Sequence, residues 1–448
     1  MGLIIAAGNT KPLFPYDYYY GVKINLAVAD PKLERVGRDD LHKALPVQSK
    51  MRRCLLKDDG TVNYYLHPTD STKRDSGSAA NLTGADGMVM VELPEHYAKF
   101  EFDGNVLTPL ISEYPLPGFH KVRKCYRSAY EATVDRTTTA TPKLASVVNN
   151  TAAFRGGNNN AAWDDTYRSL LGMPATQTSL TNFRAYARNR GAAGLNGAGW
   201  NCDLYEAQRT TYWLFVIEYA NLNCQADFNP QPDANGFKQG GLGAGVTTLA
   251  QGDWNTYNSY YPFIPCGYTN SLGNNTGVVE FTMPSEYKTG TTVKVSVPSY
   301  RGIENPFGHI WSWTDGCLCV IQSNDAGGRS IFYTCDDPAK FSSTSVADYQ
   351  ERGDLPRANN YVKTLIAGEY GENMPAVASG ASATTYICDY FYTNIPASGE
   401  AIRGVLFGGT AYYGTYAGLA YAATYYAPTY ALATFGSRLC FIPDTPQN

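Results

Sequence analysis

The segment from residue 407 to 441 constrains the fold most, because it combines many tyrosines with residues that interrupt helices. Its sequence is FGGTAYYGTYAGLAYAATYYAPTYALATFGSRLCF. Gly414, Gly418 and Pro428 exclude one continuous helix. Tyr412-Tyr413 and Tyr425-Tyr426 are adjacent pairs, and on a strand the two side chains of each pair would point to opposite faces. The segment therefore predicts loops and short strands.

The composition of this segment is typical of a binding surface. Tyrosine offers a large, rigid contact area with a polar end, and small neighbouring residues let its ring lie flat on a partner. The segment contains no Asp, Glu, Lys or Asn, and its nearest charges are Arg403 and Arg438. Tyrosines that fill the interior of a sheet are the alternative, but a buried strand usually shows alternation or a run of Val, Ile and Leu. We expect an exposed surface without acid, base or metal ligand.

Length and composition indicate a β-rich protein with several domains. The chain has 448 residues, of which 44% are apolar and 17% charged, and it contains 43 glycines and 25 prolines. A net charge of −4 gives no basic footprint for nucleic acid or an anionic membrane. The N-terminal apolar run lacks a preceding basic residue, and no apolar run is long enough to span a membrane. We expect a chain that is soluble when made.

The order of patterns predicts an α+β fold in four parts. Residues 1–30 are predicted to be an arm for docking or oligomerisation, since residues 16–20 are aromatic-rich. Short β-like runs such as Met88–Leu93 predict a small β-rich module at 31–136, followed by a linker at 137–150. The part from 151 to 448 is predicted to begin with helices at Asn182–Arg190 and Leu204–Asn221 and to continue with strands.

The sequence offers no catalytic constellation. Ten cysteines are scattered, and the Cys317/Cys319 pair lacks a second ligand pair for zinc. Buried free thiols are the favoured interpretation, with disulfides as the alternative. The five histidines have no metal-ligand spacing, and no G-x-S-x-G motif is present. We therefore predict no enzymatic activity, no catalytic residue, no metal and no cofactor.

Three motifs together resemble a known framework. GIENPFGHIWSW at 302–313, FGGT at 407–410 and GSRLC at 436–440 resemble the C-type-lectin-like domain shared by formylglycine-generating enzymes and the variable proteins of diversity-generating retroelements. The resemblance implies that the chain is held by a glycine–tryptophan frame consisting of Gly308, Trp311, Trp313, Gly408, Gly409, Gly436 and Arg438. In the enzymes the segment between the second and third motifs carries catalytic cysteines, whereas residues 410–435 contain none, which argues against that branch.

The variable-protein branch instead accounts for the tyrosines. In that family, errors in copying adenines turn Asn codons into codons for Tyr, Ala, Leu and similar residues at fixed positions. Asparagine is abundant in this sequence but absent from Ile395 to Gln447. The resemblance implies a variable segment at about 410–434, with the receptor-binding side chains Tyr412, Tyr413, Tyr416, Tyr421, Ala423, Tyr425, Tyr426, Tyr430 and Leu432.

A second, shorter resemblance lies in the small module. GMVMVELP at 87–94 and SEYPLPGFH at 112–120 are similar to a pattern in bacteriophage tail-fibre and tail-tip proteins, and a generic β-module with a Pro-Gly turn is the alternative. The resemblances imply a phage tail receptor-binding protein, made in the host cytoplasm and carried in the virion. Its expected partners are a bacterial cell-surface receptor (protein or glycan), other phage tail proteins and two further copies in a homotrimer, without nucleic acid or membrane insertion.

Two other functions stay open at the level of the sequence. A variable binding protein displayed on a bacterial surface would use the same tyrosines. A copper-dependent formylglycine-generating or related oxidase would require cysteines that residues 410–435 lack.

Overall fold

The computed structural model describes residues 15–154, 172–288 and 290–444. The first fourteen residues of the predicted arm and residues 155–171 of the predicted large domain lie outside the described residues.

The first part of the chain consists of short strands and one short helix. In chain order these are β1 (Tyr19–Asn25), β2 (Glu34–Gly37), α1 (Asp39–Ala44), β3 (Arg52–Leu56), β4 (Val62–His67), β5 (Asp70–Arg74), β6 (Met88–Leu93), β7 (His96–Asp103), β8 (Val106–Ser112), β9 (His120–Val122), β10 (Cys125–Ser128), β11 (Thr133–Asp135) and β12 (Lys143–Ala145).

The remainder begins with helices and continues mainly with strands. Its elements are α2 (Leu180–Arg188), β13 (Trp200–Cys202), α3 (Tyr205–Tyr219), α4 (Gln251–Asn258), β14 (Gly277–Thr282), β15 (Lys294–Tyr300), β16 (Ile303–Glu304), β17 (Trp311–Gln322), β18 (Ser330–Thr334), β19 (Gln350–Asp354), β20 (Asn360–Tyr361), β21 (Thr364–Ala367), β22 (Glu372–Val377), β23 (Tyr390–Thr393), β24 (Glu400–Gly408), β25 (Gly418–Thr424), β26 (Phe435–Ser437) and β27 (Leu439–Phe441).

Three larger sheets organise these strands. Their strand orders are β2-β1-β8-β7-β9, β13-β27-β10-β6-β3-β4-β5 and β19-β18-β17-β24-β25-β23-β20, and β26 also pairs with β17 in the third. Most neighbours run antiparallel, whereas β23 pairs with β25, and β17 with β26, in parallel. The prediction of a β-rich α+β fold is confirmed.

Helix α3 is buried on nearly all sides. Its neighbours include β17, β22 and strands β1 and β8 of the first sheet. Hydrophobic Leu214, Phe215 and Ile217 supply the packing. Two of its buried polar side chains are paired, since the Glu218 carboxylate accepts from Arg301 at 2.7 Å and Gln208 donates to the Leu419 carbonyl at 2.5 Å. The predicted helix at Leu204–Asn221 is confirmed by α3.

Two predictions about the connecting segments are wrong. Residues 19–25, expected in an exposed arm, form β1 between β2 and β8, and Tyr20 is fully buried with its hydroxyl donating to Gln48. The expected linker at 137–150 includes β12, which pairs with β11 and buries Leu144 and Val147. In both segments apolar side chains are buried against neighbouring strands, although the local composition predicted an arm in one case and a linker in the other.

The predicted boundary near residue 150 separates segments that share a sheet. Strands β13 and β27 lie beside β10 and β6 in the seven-stranded sheet, through the pairs β13–β27 and β10–β27. Both parts also contribute to one hydrophobic core. The division into four parts stays a prediction. Within the described ranges, none of the helices has the length and apolar composition needed to cross a membrane.

The chain passes from one large sheet to another at Arg438. Strand β26 pairs with β17, and β27, which begins one residue after Arg438, pairs with β10 and β13. The buried guanidinium donates to the backbone carbonyls of Glu304 (2.5 Å), Asn305 (2.6 Å) and Ser128 (3.4 Å). Burial, together with the nearby charge of Arg127, lowers the pKa of Arg438 to about 10. Three hydrogen bonds to backbone carbonyls thus fix the position at which the chain changes sheets.

Replacing Arg438 with Met is expected to destabilise the protein by about 2–4 kcal/mol, because the three carbonyls stay buried without this donor. Urea unfolding followed by tryptophan fluorescence measures the change. Lys288→Met is the control, since this lysine is well exposed and its loss should change stability by less than ~0.5 kcal/mol. Equal stability of the Arg438 variant and the control would contradict the role of Arg438.

Candidate functional site

The centre of the tyrosine-rich segment is a buried strand. Strand β25 lies between antiparallel β24 and parallel β23, and all seven of its residues are buried. Small residues such as Gly418 and Ala420 allow this close packing. A Cβ atom at position 418 would lie 1.9 Å from the Asp389 carboxylate oxygen Oδ1. The segment therefore reaches the surface before and after β25 and not along it.

The expectation of display is wrong for two of the predicted receptor-binding residues. Tyr421 and Ala423 are each 1% exposed, because both belong to β25. The Tyr421 ring packs against Trp311, with ring centroids 4.6 Å apart, and against Tyr413 at 5.4 Å. These two residues support the surface from beneath and cannot contact a partner.

The other predicted positions reach solvent. Tyr416 is 39% exposed and Tyr430 is 48% exposed. The remaining positions are half-buried, so that one side of each side chain is fixed while the other is open; they are Tyr412, Tyr413, Tyr425, Tyr426 and Leu432. The side chains cluster at the two ends of β25.

Rings from other strands extend this cluster. Tyr390 on β23 stacks on Tyr416 with centroids 4.2 Å apart and planes inclined by 20°. Tyr361 on β20 packs edge-on against both, at 5.3 and 5.4 Å. We call the combined set the tyrosine surface, which consists of Tyr361, Tyr390, Tyr392, Tyr412, Tyr413, Tyr416, Tyr425, Tyr426 and Tyr430.

A second row of stacked rings lies after β25. Tyr392 and Tyr425 are nearly parallel, with centroids 5.1 Å apart and an angle of 7°. Tyr425 packs on Tyr426 at 4.7 Å, and Tyr426 stacks on Tyr430 at 5.0 Å. Aromatic pairs in this distance range stabilise one another beyond the burial of area. The open faces are therefore held in place before any partner binds.

Sequence reasoning missed Tyr361, Tyr390 and Tyr392. On β23, Tyr390 and Tyr392 alternate with the buried Phe391 and Thr393, which is the period-two pattern of a strand with one open face. That pattern could have identified two of the three residues. Tyr361 joins the surface through the pairing of β20 with β23, which no local pattern reveals.

Residues of the predicted glycine–tryptophan frame lie beneath and beside this surface. Trp313 is fully buried, and Trp311 touches Tyr413 as well as Tyr421. Gly408 and Gly409 have φ of +99° and +83°, a region that favours glycine, where the chain leaves β24. A Cβ at Gly436 would lie 2.5 Å from the Ile310 Cδ1 atom. Space and backbone conformation both require small residues here.

The cysteines and His309 are all buried. Burial raises the pKa of each of the ten thiols, so their nucleophilic thiolate form is disfavoured. The favoured interpretation of buried free cysteines is confirmed. His309 bonds Glu131 through Nδ1 at 2.5 Å and accepts from two backbone N–H groups through Nε2, fully buried. Within the described part of the chain, no group of three or more His, Cys, Asp or Glu could hold a metal ion.

Comparison with known proteins gives five distant structural matches. No protein-family model matches the sequence. No curated protein matches it. Among solved structures, the Major Tropism Determinant U1 variant is similar at 13% identity and a TM-score of 0.25, and the P3c variant at 13% identity and 0.23. Each of these two matches covers 88% of this chain and 72% of the other. Scores this low do not establish a shared fold, and they assign no function to any residue of this chain.

A buried carboxyl group beneath the tyrosine surface makes the stability of the folded state depend on pH. Asp389 directly precedes Tyr390, is 2% exposed and accepts a hydrogen bond from the Ala420 backbone N–H at 2.7 Å. Burial raises the pKa of Asp389 well above its usual value, although the Ala420 bond opposes this shift. The folded state therefore holds this proton at pH values where the unfolded chain releases it, and stability falls as pH rises through that interval.

Asp389→Asn is expected to remove this pH dependence while keeping an oxygen acceptor for Ala420. Between about pH 4 and the folded-state pKa, the wild type should lose ~1.4 kcal/mol of stability per pH unit relative to the variant. Urea unfolding of both proteins over this range measures the difference. A difference in stability that is constant with pH would contradict the assignment.

Proposed function

We propose that this chain is a phage tail receptor-binding protein that adheres to a bacterial surface receptor through the tyrosine surface. In this proposal the part from 151 to 448 has a C-type-lectin-like fold and is the variable protein of a diversity-generating retroelement. The three motifs of the glycine–tryptophan frame and the erosion of Asn from the variable segment support it.

One observation carries the proposal: the rings of the tyrosine surface are exposed on one side, pack on a buried sheet on the other, and have no reactive groups among them. Tyr and Trp dominate the energetics of protein interfaces, and rings already fixed by their neighbours lose little entropy on binding. Tyr416 and Tyr430 are the most exposed of these rings. The arrangement suits adhesion and offers no acid, base or nucleophile for a reaction.

The burial of β25 reduces the set of positions that we propose to be variable. Substitution at buried Tyr421 or Ala423 would disturb the packing on Trp311 and the neighbouring strands. The proposal therefore keeps seven variable positions, all of which reach solvent: Tyr412, Tyr413, Tyr416, Tyr425, Tyr426, Tyr430 and Leu432.

Trimerisation and assembly into a tail complete the proposal. Several copies on one virion would convert weak single contacts into firm adhesion, which matters because randomised side chains seldom bind tightly alone. Multi-angle light scattering of the purified chain is expected to give three times the mass of one chain. A monomer at micromolar concentration would contradict the proposed homotrimer.

Adhesion is tested by removing the two most exposed rings. Tyr416→Ala combined with Tyr430→Ala is expected to weaken adsorption of the labelled protein to host bacteria at least tenfold, or about 1.4 kcal/mol or more. Tyr114→Ala is the matched control, because Tyr114 is 51% exposed but lies outside the tyrosine surface. Equal adsorption of the double variant, the control and the wild type would contradict the proposal.

Diversification is tested in the gene itself. Deep sequencing of the gene and its flanking DNA from a growing population is expected to show substitutions confined to codons 410–434, with an adenine-matched repeat nearby. Codons 421 and 423 should stay constant, because their residues are buried. A single fixed sequence without such a repeat would remove the retroelement from the proposal and leave adhesion to be judged by the adsorption assay.

A further inference from the structure

A pocket of about 410 Å³ opens at the edge of the tyrosine surface, next to Tyr412. Its volume lies in the range of small-ligand sites, about 300–1,000 Å³. Tyr412 and Leu432, two of the proposed variable residues, line one side, and Gln177, Gln251, Tyr260 and Tyr261 line the others. The pocket is therefore continuous with the tyrosine surface.

The aromatic walls of the pocket are fixed from behind. The rings of Tyr260 and Tyr412 have centroids 6.1 Å apart and are inclined by 58°. Both pack on the buried Trp254, at 5.7 and 5.9 Å. The two rings thus form one fixed, inclined aromatic wall on which the apolar face of a ligand can lie.

The polar wall is fixed as well. The Gln177 side-chain oxygen accepts a hydrogen bond from the Tyr261 hydroxyl at 3.1 Å, and the Gln177 backbone N–H donates to the Leu432 carbonyl at 2.8 Å. Gln177, Ser259 and Tyr260 have φ values of 57°, 55° and 68°, which non-glycine residues adopt only when their surroundings impose it. The surroundings therefore hold these three lining residues in one defined arrangement.

The lining restricts the chemistry of the occupant. Within the described part of the chain, no charged side chain lines the pocket, so a charged ligand would be desolvated without a counter-charge. The amides of Gln177 and Gln251 line the pocket as hydrogen-bonding groups that an apolar side chain would not use, and the Gln177 oxygen already accepts from Tyr261. An uncharged ring that carries hydroxyl groups satisfies both conditions, because amides can donate and accept and the tyrosine rings can cover its apolar face.

We infer that this pocket binds a neutral hexose unit of a bacterial surface glycan. The inference rests on the proposed function and specifies the receptor class for the same surface. Leu432 makes the pocket adjustable, since its side chain lines the pocket and a change at this position alters the pocket's size.

Saturation-transfer NMR of the full chain tests the inference with a panel of methyl glucoside, methyl galactoside, methyl mannoside and N-acetylglucosamine. At least one of these neutral sugars is expected to bind with millimolar affinity, whereas glucuronic acid and N-acetylneuraminic acid give no signal. Gln251→Ala should weaken binding about threefold or more through loss of a hydrogen bond. Leu432→Trp should fill the pocket and abolish the signal.

Matched controls separate blocking of the pocket from general damage. Asn255 lies on α4 with Gln251 but outside the pocket, so Asn255→Ala is one control, and Ala431→Trp, which introduces the same ring one residue before Leu432, is the other. Both controls should retain binding. Absence of binding by every neutral sugar, equal binding of the acidic sugars, or an unaffected Leu432→Trp variant would overturn the inference.

Failure of this inference can be distinguished from failure of the proposed function. If the Tyr416/Tyr430 double variant loses adsorption to bacteria while no neutral sugar binds, receptor binding stands and the glycan inference falls. If a neutral sugar binds in the pocket but the wild type does not adsorb to bacteria, the pocket stands and the proposed function falls.

Discussion

The rest of the architecture depends on the buried guanidinium of Arg438, which lies where the chain passes from one large sheet to another. On one side of it the chain forms β26, in the sheet that contains β25, and on the other it forms β27, in the sheet built mainly from the first part of the chain. Its bonds to the carbonyls of Glu304, Asn305 and Ser128 satisfy buried acceptors at the ends of β16 and β10. A single cation thus ties together backbone segments far apart in sequence.

This crossing explains how a segment poor in charge and rich in exposed rings stays ordered. The tyrosine-rich segment leaves the eight-stranded sheet through Gly408 and Gly409, returns to it as β25 and β26, and ends in the seven-stranded sheet. Both ends and the middle are therefore buried, and only the two connections reach solvent. The strands therefore position the side chains on these connections.

Local patterns in the sequence identified elements where burial and periodicity agree. The run Met88–Leu93 coincides with β6, and the two predicted helices coincide with α2 and α3 to within a few residues. The burial of Tyr421 was missed because a strand between two others needs small neighbours, and Gly418, Ala420 and Ala422 look like flexible loop in isolation. The contribution of Tyr361 depends on the pairing of β20 with β23, some way along the chain, and the burial of Leu144 depends on the pairing of β12 with β11 and on its packing in the core, none of which the local composition reveals.

Within the tyrosine-rich segment, the side chains that are exposed and the side chains that support them belong to different residues. A stability scan that replaces each position from 411 to 434 with several residues tests this distinction most directly. Variants at Tyr416, Tyr425 and Tyr430 are expected to lose no more than about 1 kcal/mol of stability, through their ring contacts, and larger substitutions at Ala423 or truncation of Tyr421 to cost about 2 kcal/mol or more. Equal costs at exposed and buried positions would contradict the account.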